Sequence, residues 1–205
     1  MNKRPYLCVS VMDTRIIIDN TCAIGSDSVI RSSMGNELYD TKNIYLVLTD
    51  SDSELYDAYF NIMYLNKSER IHKVLLPSGR LSALSGTDMT EYSTFVKRLD
   101  EEGFELGFYE NEFSIDDMRF KTEVSEFGWS FVFDDYCVIY ADEYNETYAD
   151  SVSKDSDYCI YFCDNAAQTD NLGYNSNAQL YVSSPLYKNV RGAKQIPTGR
   201  PVLLE

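Results

Sequence analysis

The sequence predicts an α+β fold: a largely antiparallel β-sheet or meander, two main α-helices and an extended C-terminal arm. Three observations predict it. Apolar residues recur at every second position over most of the stretch from Phe104 to Phe133, two earlier segments carry helix-start signals before apolar stripes, and the last 22 residues follow neither period.

In chain order, Tyr6–Met12 and Arg15–Asp19 are short β-branched or apolar runs joined at Asp13-Thr14 as a hairpin. The opening from Met1 to Asp13 reads as this first strand and not as a secretory signal, because Asp13 cuts its apolar run short. Residues 20–42 are rich in Ser, Asn, Asp and Gly and read as a long loop. Asn43–Thr49 is a near-continuous apolar run, as buried strands show. Ser51-Asp-Ser-Glu54 forms a capping box for a helix whose only polar residues between Leu55 and Leu65 are Asp57 and Asn61. So wide an apolar circumference belongs to the core or to a partner's surface, and the core is the commoner fate.

Arg70–Leu76 returns as a strand and stops at the Pro77-Ser-Gly-Arg80 turn. Asp88-Met-Thr-Glu91 opens the second helix. Met89, Tyr92, Phe95, Val96 and Leu99 form its buried stripe, Lys97–Glu101 and Arg98–Glu102 its outer pairs, and Gly103 its left-handed stop. Three alternating runs follow: Phe104, Leu106 and Phe108; then Met118, Phe120, Thr122 and Val124; then Phe127, Trp129, Phe131 and Phe133. An Asp134-Asp135 turn leads into Tyr136–Ala141, and Tyr158–Cys163 and Gln179–Ser183 add two strands. Residues 142–157 fit a short helix or an acidic loop equally, and 164–178 read as loop. Residues 1–183 are thus expected to be one α+β domain, with 184–205 as the arm.

The chain has 205 residues and a formal charge of −15, and the charge is unevenly placed. Residues 100–157 hold 18 acids against Arg119, Lys121 and Lys154, while the other 147 residues are neutral. The arm is basic, with Lys188, Arg191, Lys194 and Arg200 against Glu205. This balance argues against gripping nucleic acid through its phosphates. No apolar stretch reaches the ~20 residues of a membrane-spanning helix. The interleaved Phe and Trp residues mark the acidic stretch as folded, since disordered segments lack them. Its field suits a positively charged protein partner. The residues expected to form that surface are Asp100, Glu101, Glu102, Glu110, Glu112, Asp116, Asp117, Asp134, Asp135, Asp142 and Glu143, with Lys188, Arg191, Lys194 and Arg200 on the arm.

Catalytic chemistry is sparse in the sequence. His72 is the single histidine and stands beside Lys73 without a nearby Cys, so it reads as a structural or surface residue. No nucleophile elbow or phosphate-cradling Gly-Lys-Ser/Thr loop is present. The odd set Cys8, Cys22, Cys137, Cys159 and Cys163 suggests reduced thiols. Cys159 and Cys163, on one strand, would stand ~13 Å apart on a shared face, too far for a disulfide. Asp50-Ser-Asp-Ser-Glu54 alternates carboxylates but has Leu55 where a calcium loop of the EF-hand type needs Gly. No cofactor and no metal are therefore expected, and no enzyme.

Two functions fit these observations. The first is a self-assembling structural component of a virion, in which the arm, able to reach ~70 Å when extended, docks on a neighbouring copy. The alternative is a nucleic-acid mimic that inhibits a basic host defence protein, of the anti-CRISPR or anti-restriction type. Either places the protein in a host cell's cytoplasm or in a virion, with a protein partner, no direct nucleic-acid contact and no membrane.

Overall fold

A computed structural model describes residues 7–19, 43–49, 71–78, 85–141, 143–163, 171–183 and 188–196. The expected loop at 20–42, the helix opening at Ser51, and Asp142 and Arg200 lie outside the described residues. The chain divides into two compact units, Lys3–Glu110 and Asn111–Glu205.

The first unit is built on a five-stranded sheet in the order β1-β2-β3-β4-β5. Its strands are β1 (Leu7–Val11), β2 (Thr14–Asp19), β3 (Asn43–Leu48), β4 (Ile71–Pro77) and β5 (Leu106–Tyr109). β1 and β2 form the expected antiparallel hairpin, but β2–β3, β3–β4 and β4–β5 are parallel. Helix α1 (Gly86–Glu101) lies in sequence between β4 and β5, the crossover a parallel pair requires. Its start is set by Ser85, whose hydroxyl accepts from the Asp88 N–H while the Asp88 carboxylate accepts from the Ser85 N–H, both at 3.3 Å. The helix therefore begins at Gly86, two residues before Asp88. Tyr92, Phe95 and Leu99 form its buried stripe, Lys97 and Glu101 pair at 3.5 Å, and Gly103 takes φ +83° just past its end.

The second unit carries a seven-stranded sheet in the order β12-β11-β10-β9-β8-β7-β6. These are β6 (Glu112–Ile115), β7 (Met118–Ser125), β8 (Gly128–Phe133), β9 (Tyr136–Ala141), β10 (Tyr158–Cys163), β11 (Gln179–Ser183) and β12 (Lys194–Ile196). The β6–β9 meander is antiparallel, with its first and last turns at Asp116-Asp117 and Asp134-Asp135, and β9 to β12 run parallel. A short helix α2 (Glu146–Val152), capped by the Asn145 side chain on the Tyr148 N–H at 2.9 Å, lies in sequence between β9 and β10.

The α+β class therefore holds, but the largely antiparallel sheet is corrected to two mixed sheets. Six of the ten strand pairings among the described residues are parallel. The physical reason lies in burial. Ile16-Ile17-Ile18, Leu46-Val47-Leu48 and Val74-Leu75-Leu76 are buried at every successive residue, so both faces of these strands are covered, as parallel sheets require. Strand β7, by contrast, alternates buried Phe120 and Thr122 with exposed Arg119, Lys121 and Glu123.

Two local expectations are also corrected. Phe108 is 55% exposed while Tyr109 is buried, because Phe104 precedes the strand and Tyr109 turns inward to donate its hydroxyl to the Leu48 carbonyl at 2.7 Å. Over its described length the arm lies on its own unit. Lys194–Ile196 is the edge strand β12 on β11 of its own unit, Val190 is buried, and Leu172 and Val190 form a parallel bridge. Among the described residues no helix is long and apolar enough to cross a membrane.

Candidate functional site

In parallel α/β sheets, ligand sites form outside the carboxyl ends of the strands, where loops leave the sheet and side chains converge. In the first unit those ends are tied by hydroxyls. Ser78, just past β4, donates its hydroxyl and its N–H to the Tyr109 carbonyl at 2.9 and 2.7 Å, and Tyr92 donates to the Pro77 carbonyl at 3.4 Å. Burial pushes the Tyr92 phenol up to about 12.

In the second unit the same ends are again knit by oxygen. The Ser183 hydroxyl donates to the Cys163 carbonyl at 3.1 Å and accepts from the Cys163 N–H at 3.0 Å, binding the ends of β10 and β11 together. The buried Tyr161 donates its hydroxyl to the Glu143 carbonyl at 3.0 Å and accepts from the Asn145 N–H at 3.2 Å, which fixes the chain leaving β9. The Glu143 side chain stands exposed at that end. Behind it lies a core of Cys137, Ile139, Tyr148, Ala149, Cys159, Tyr161, Leu180 and Val182. Cys137 and Cys159 are opposite each other in the β9–β10 register, and hydrogen bonding to Cys159 together with burial pushes the Cys137 thiol up. The described cysteines Cys8, Cys137, Cys159 and Cys163 are free thiols.

The acids singled out in sequence fall into distinct places. Asp100 and Glu101 end α1, Glu102 caps it, and Glu110 follows β5 in the same unit. In the second unit Asp116, Asp117, Asp134 and Asp135 sit in the two turns at one end of the meander, the end at which β9, β10 and β11 begin. Glu112 is bound by the Arg119 guanidinium on β7. Glu143 alone among the second unit's described candidates lies past the carboxyl end of a parallel strand. On the arm, Lys194 donates to the Tyr181 hydroxyl at 3.3 Å and lies over that ring, while Lys188 and Arg191 are exposed.

Two acids the sequence did not single out hold a loop in place. Asp150 on α2 accepts from the N–H groups of Asn175 and Ser176 at 2.9 and 3.2 Å, and Glu146 accepts from the Asn175 amide at 2.8 Å. The 3.6-residue spacing that puts Glu146 and Asp150 on one helix face was the signal available for them.

No protein-family model matches the chain, and no curated protein matches it. Among solved structures it is similar to one described as a new diphosphatase from the PhnP family. The two are 12% identical, the likeness covers 99% of this chain and 85% of that one, and the TM-score is 0.54. At that identity the likeness shows the fold alone. It nevertheless corrects the functional expectations. The fold is one on which an enzyme is built, so the absence of enzymatic function, the self-assembling virion component and the nucleic-acid mimic of anti-defence type no longer stand. The acidic turns and the arm that motivated them are ordinary parts of this sheet: turns of a meander and its edge strand.

The side chains described here do not assemble a histidine-built metal centre. His72 is the only histidine, it is the second residue of β4 and so lies at the amino end of that strand, and its ring is edge-on to Tyr45 at 5.1 Å. Among the described residues no three His, Cys, Asp or Glu side chains gather closely enough to hold a metal ion.

Proposed function

We propose that the chain is a hydrolase of phosphorus–oxygen bonds, with diphosphate-containing compounds as its substrate class. The observation that carries this reading is the extent of the fold likeness to a diphosphatase, 99% of the chain. Among the described residues the carboxylate placed to act is Glu143. It stands exposed past the end of β9 on a backbone anchored by Tyr161. In that role it takes a proton from water as the water oxygen bonds to phosphorus and the bond to the departing phosphate breaks. The proton then passes to the leaving oxygen.

The test is phosphate release from nucleoside diphosphates and a chromogenic phosphodiester, each with added Mg²⁺, Mn²⁺ or Zn²⁺. Saturable turnover is expected, falling about 100-fold in Glu143→Gln, the lower range for loss of a general base. No release from any of these substrates under any of the metal conditions overturns the hydrolase reading. Full turnover in folded Glu143→Gln removes Glu143 from the role.

A further inference from the structure

At the opposite end of the second sheet, where β10 and β11 begin, an open cleft of about 470 Å³ is lined by Asp157, Tyr158, Tyr174, Asn177, Gln179 and Arg191 among others. That volume lies within the range of small-ligand sites. Its walls are fixed by backbone bonds. Asp157 donates to the Asp135 carbonyl at 2.8 Å, Gln179 donates to the Asp157 carbonyl at 2.7 Å, and Arg191 donates to the Leu172 carbonyl at 3.3 Å. Gly192, at φ +81°, turns the chain from Val190 into β12 and sets Arg191 at the cleft.

Arg191 and Asp157 line this cleft as opposite charges, yet among the described residues neither forms an ion pair, with each other or with any other side chain. A guanidinium and a carboxylate that line one cleft without an ion-pair partner offer one partner to an anion and one to a cation. Asn177 and Gln179, whose Nε2 is bound to the Leu180 carbonyl, add polar lining, and Tyr158 and Tyr174 add ring surface. The surroundings decide against a phosphate. Asp134 and Asp135 lead into β9, the neighbour of β10, and Asp157 lines the cleft itself, so a dianion is repelled, whereas a ligand without net charge is not.

We infer that this cleft binds a small zwitterion of the free α-amino-acid type, its carboxylate on Arg191 and its ammonium on Asp157. The inference concerns the amino ends of the strands and stands whether or not the opposite end hydrolyses phosphates.

The test is calorimetric and ligand-observed NMR titration of the full chain with glycine, L-glutamate, L-phenylalanine and L-arginine. Their N-acetyl and methyl-ester forms and inorganic phosphate are titrated alongside. Saturable binding of at least one free amino acid is expected. It should weaken at least 10-fold in Arg191→Ala, in Asp157→Asn, and on blocking either end of the ligand, with near-ultraviolet dichroism confirming that both variants remain folded. The inference is overturned if no free amino acid binds below about 10 mM, a Kd worth under 3 kcal/mol. It is equally overturned if the blocked forms bind as well as the free ones, or if phosphate displaces the amino acid.

Discussion

The two units reach a closed core by different chemistry. The first packs Ile16, Ile17, Ile18, Ile44, Leu46, Val47, Val74 and Leu76 around its parallel strands, a mainly hydrocarbon core whose buried polar members among the described residues are Tyr92, Tyr109, Thr14 and Thr49. The second buries Tyr148, Tyr161, Ser130, Ser153, Ser183 and three cysteines beside its Phe and Val residues. Hydrocarbon packing gains stability roughly in proportion to area and loses it gradually. Buried hydroxyls are neutral while partnered and costly when a partner is lost. The second unit is thus expected to be the more brittle of the two.

Glycines give the sharpest break in that comparison. A methyl group on Gly128, which has φ +155°, runs into the Tyr140 carbonyl and stands 3.0 Å from the Ala141 Cβ, so backbone must move. On Gly107 of the first unit it meets the Leu75 Cδ2 and Lys73 Cε at 2.7 Å, both ends of flexible side chains. Gly128→Ala should therefore cost about 3 kcal/mol, the upper end for overpacking, and Gly107→Ala under ~1 kcal/mol. Urea unfolding of the two variants checks both figures. Equal losses would show that the second unit yields as readily as the first.

Single-atom deletions sharpen the same contrast. Tyr161→Phe removes one oxygen and strands the Asn145 N–H and the Glu143 carbonyl. A loss of about 2 kcal/mol is expected, within the range for unsatisfied buried groups. Ile17→Val removes a methyl group from the first unit, and about 1 kcal/mol should go with it. If Tyr161→Phe proves harmless, water has taken the place of the hydroxyl and the network is less dry than its geometry shows.

Alkali separates the units by titration. Burial raises the phenols of Tyr144, Tyr161 and Tyr174 in the second unit above the ordinary value of 10.0, and that of Tyr92 in the first to about 12. A raised phenol pKa means the folded state holds the proton more tightly than the unfolded chain. The stabilisation is therefore whole below pH ~10 and is lost as pH rises through the folded values. Burial raises Tyr136 and Tyr148 as well, so among the described residues five such groups stand in the second unit against one in the first, and the second unit should open first. Hydrogen exchange at rising pH, read unit by unit alongside tyrosinate absorbance, is the check.

The sequence carried some of this and hid the rest for identifiable reasons. The meander was legible because Met118–Ser125 and Gly128–Phe133 have turn signals at their ends, and β7 buries one face. Ile16–Ile18 and Leu46–Leu48 announced burial but not direction, since a continuous apolar run reads the same beside a parallel or an antiparallel neighbour. Strand β12 is three residues of Lys, Gln and Ile, too short to show a period. Glu143 and Arg191 were both singled out, yet for a charged surface. What distinguishes them is which end of a strand they stand at, and that depends on strand order. The clamp of Asp150 on Asn175 joins residues 25 apart, beyond any local pattern.

The smallest effects test a feature the units share. Met12 in the first unit, at φ 48°, and Asp116 and Asp134 in the second, at φ 52° and 45°, occupy the left-handed region in hairpin turns. That conformation costs an ordinary side chain about 1–2 kcal/mol, and Asp less, because its short polar side chain bonds locally. Met12→Gly should therefore stabilise by about 0.5–1 kcal/mol, after allowing for the greater freedom of glycine in the unfolded chain. Asp116→Gly and Asp134→Gly should gain less, near ~0.3 kcal/mol each, from backbone relief alone. The acidic turns add a second source of gain, which Asp116→Asn isolates, since Asn tolerates the same backbone and carries no charge. A gain from Asp116→Asn that vanishes at high salt assigns it to repulsion among the turn carboxylates. A gain confined to the glycine variants assigns it to the backbone, and the second unit's acidic end would then be no more strained by its charge than the first unit's uncharged turn residue is.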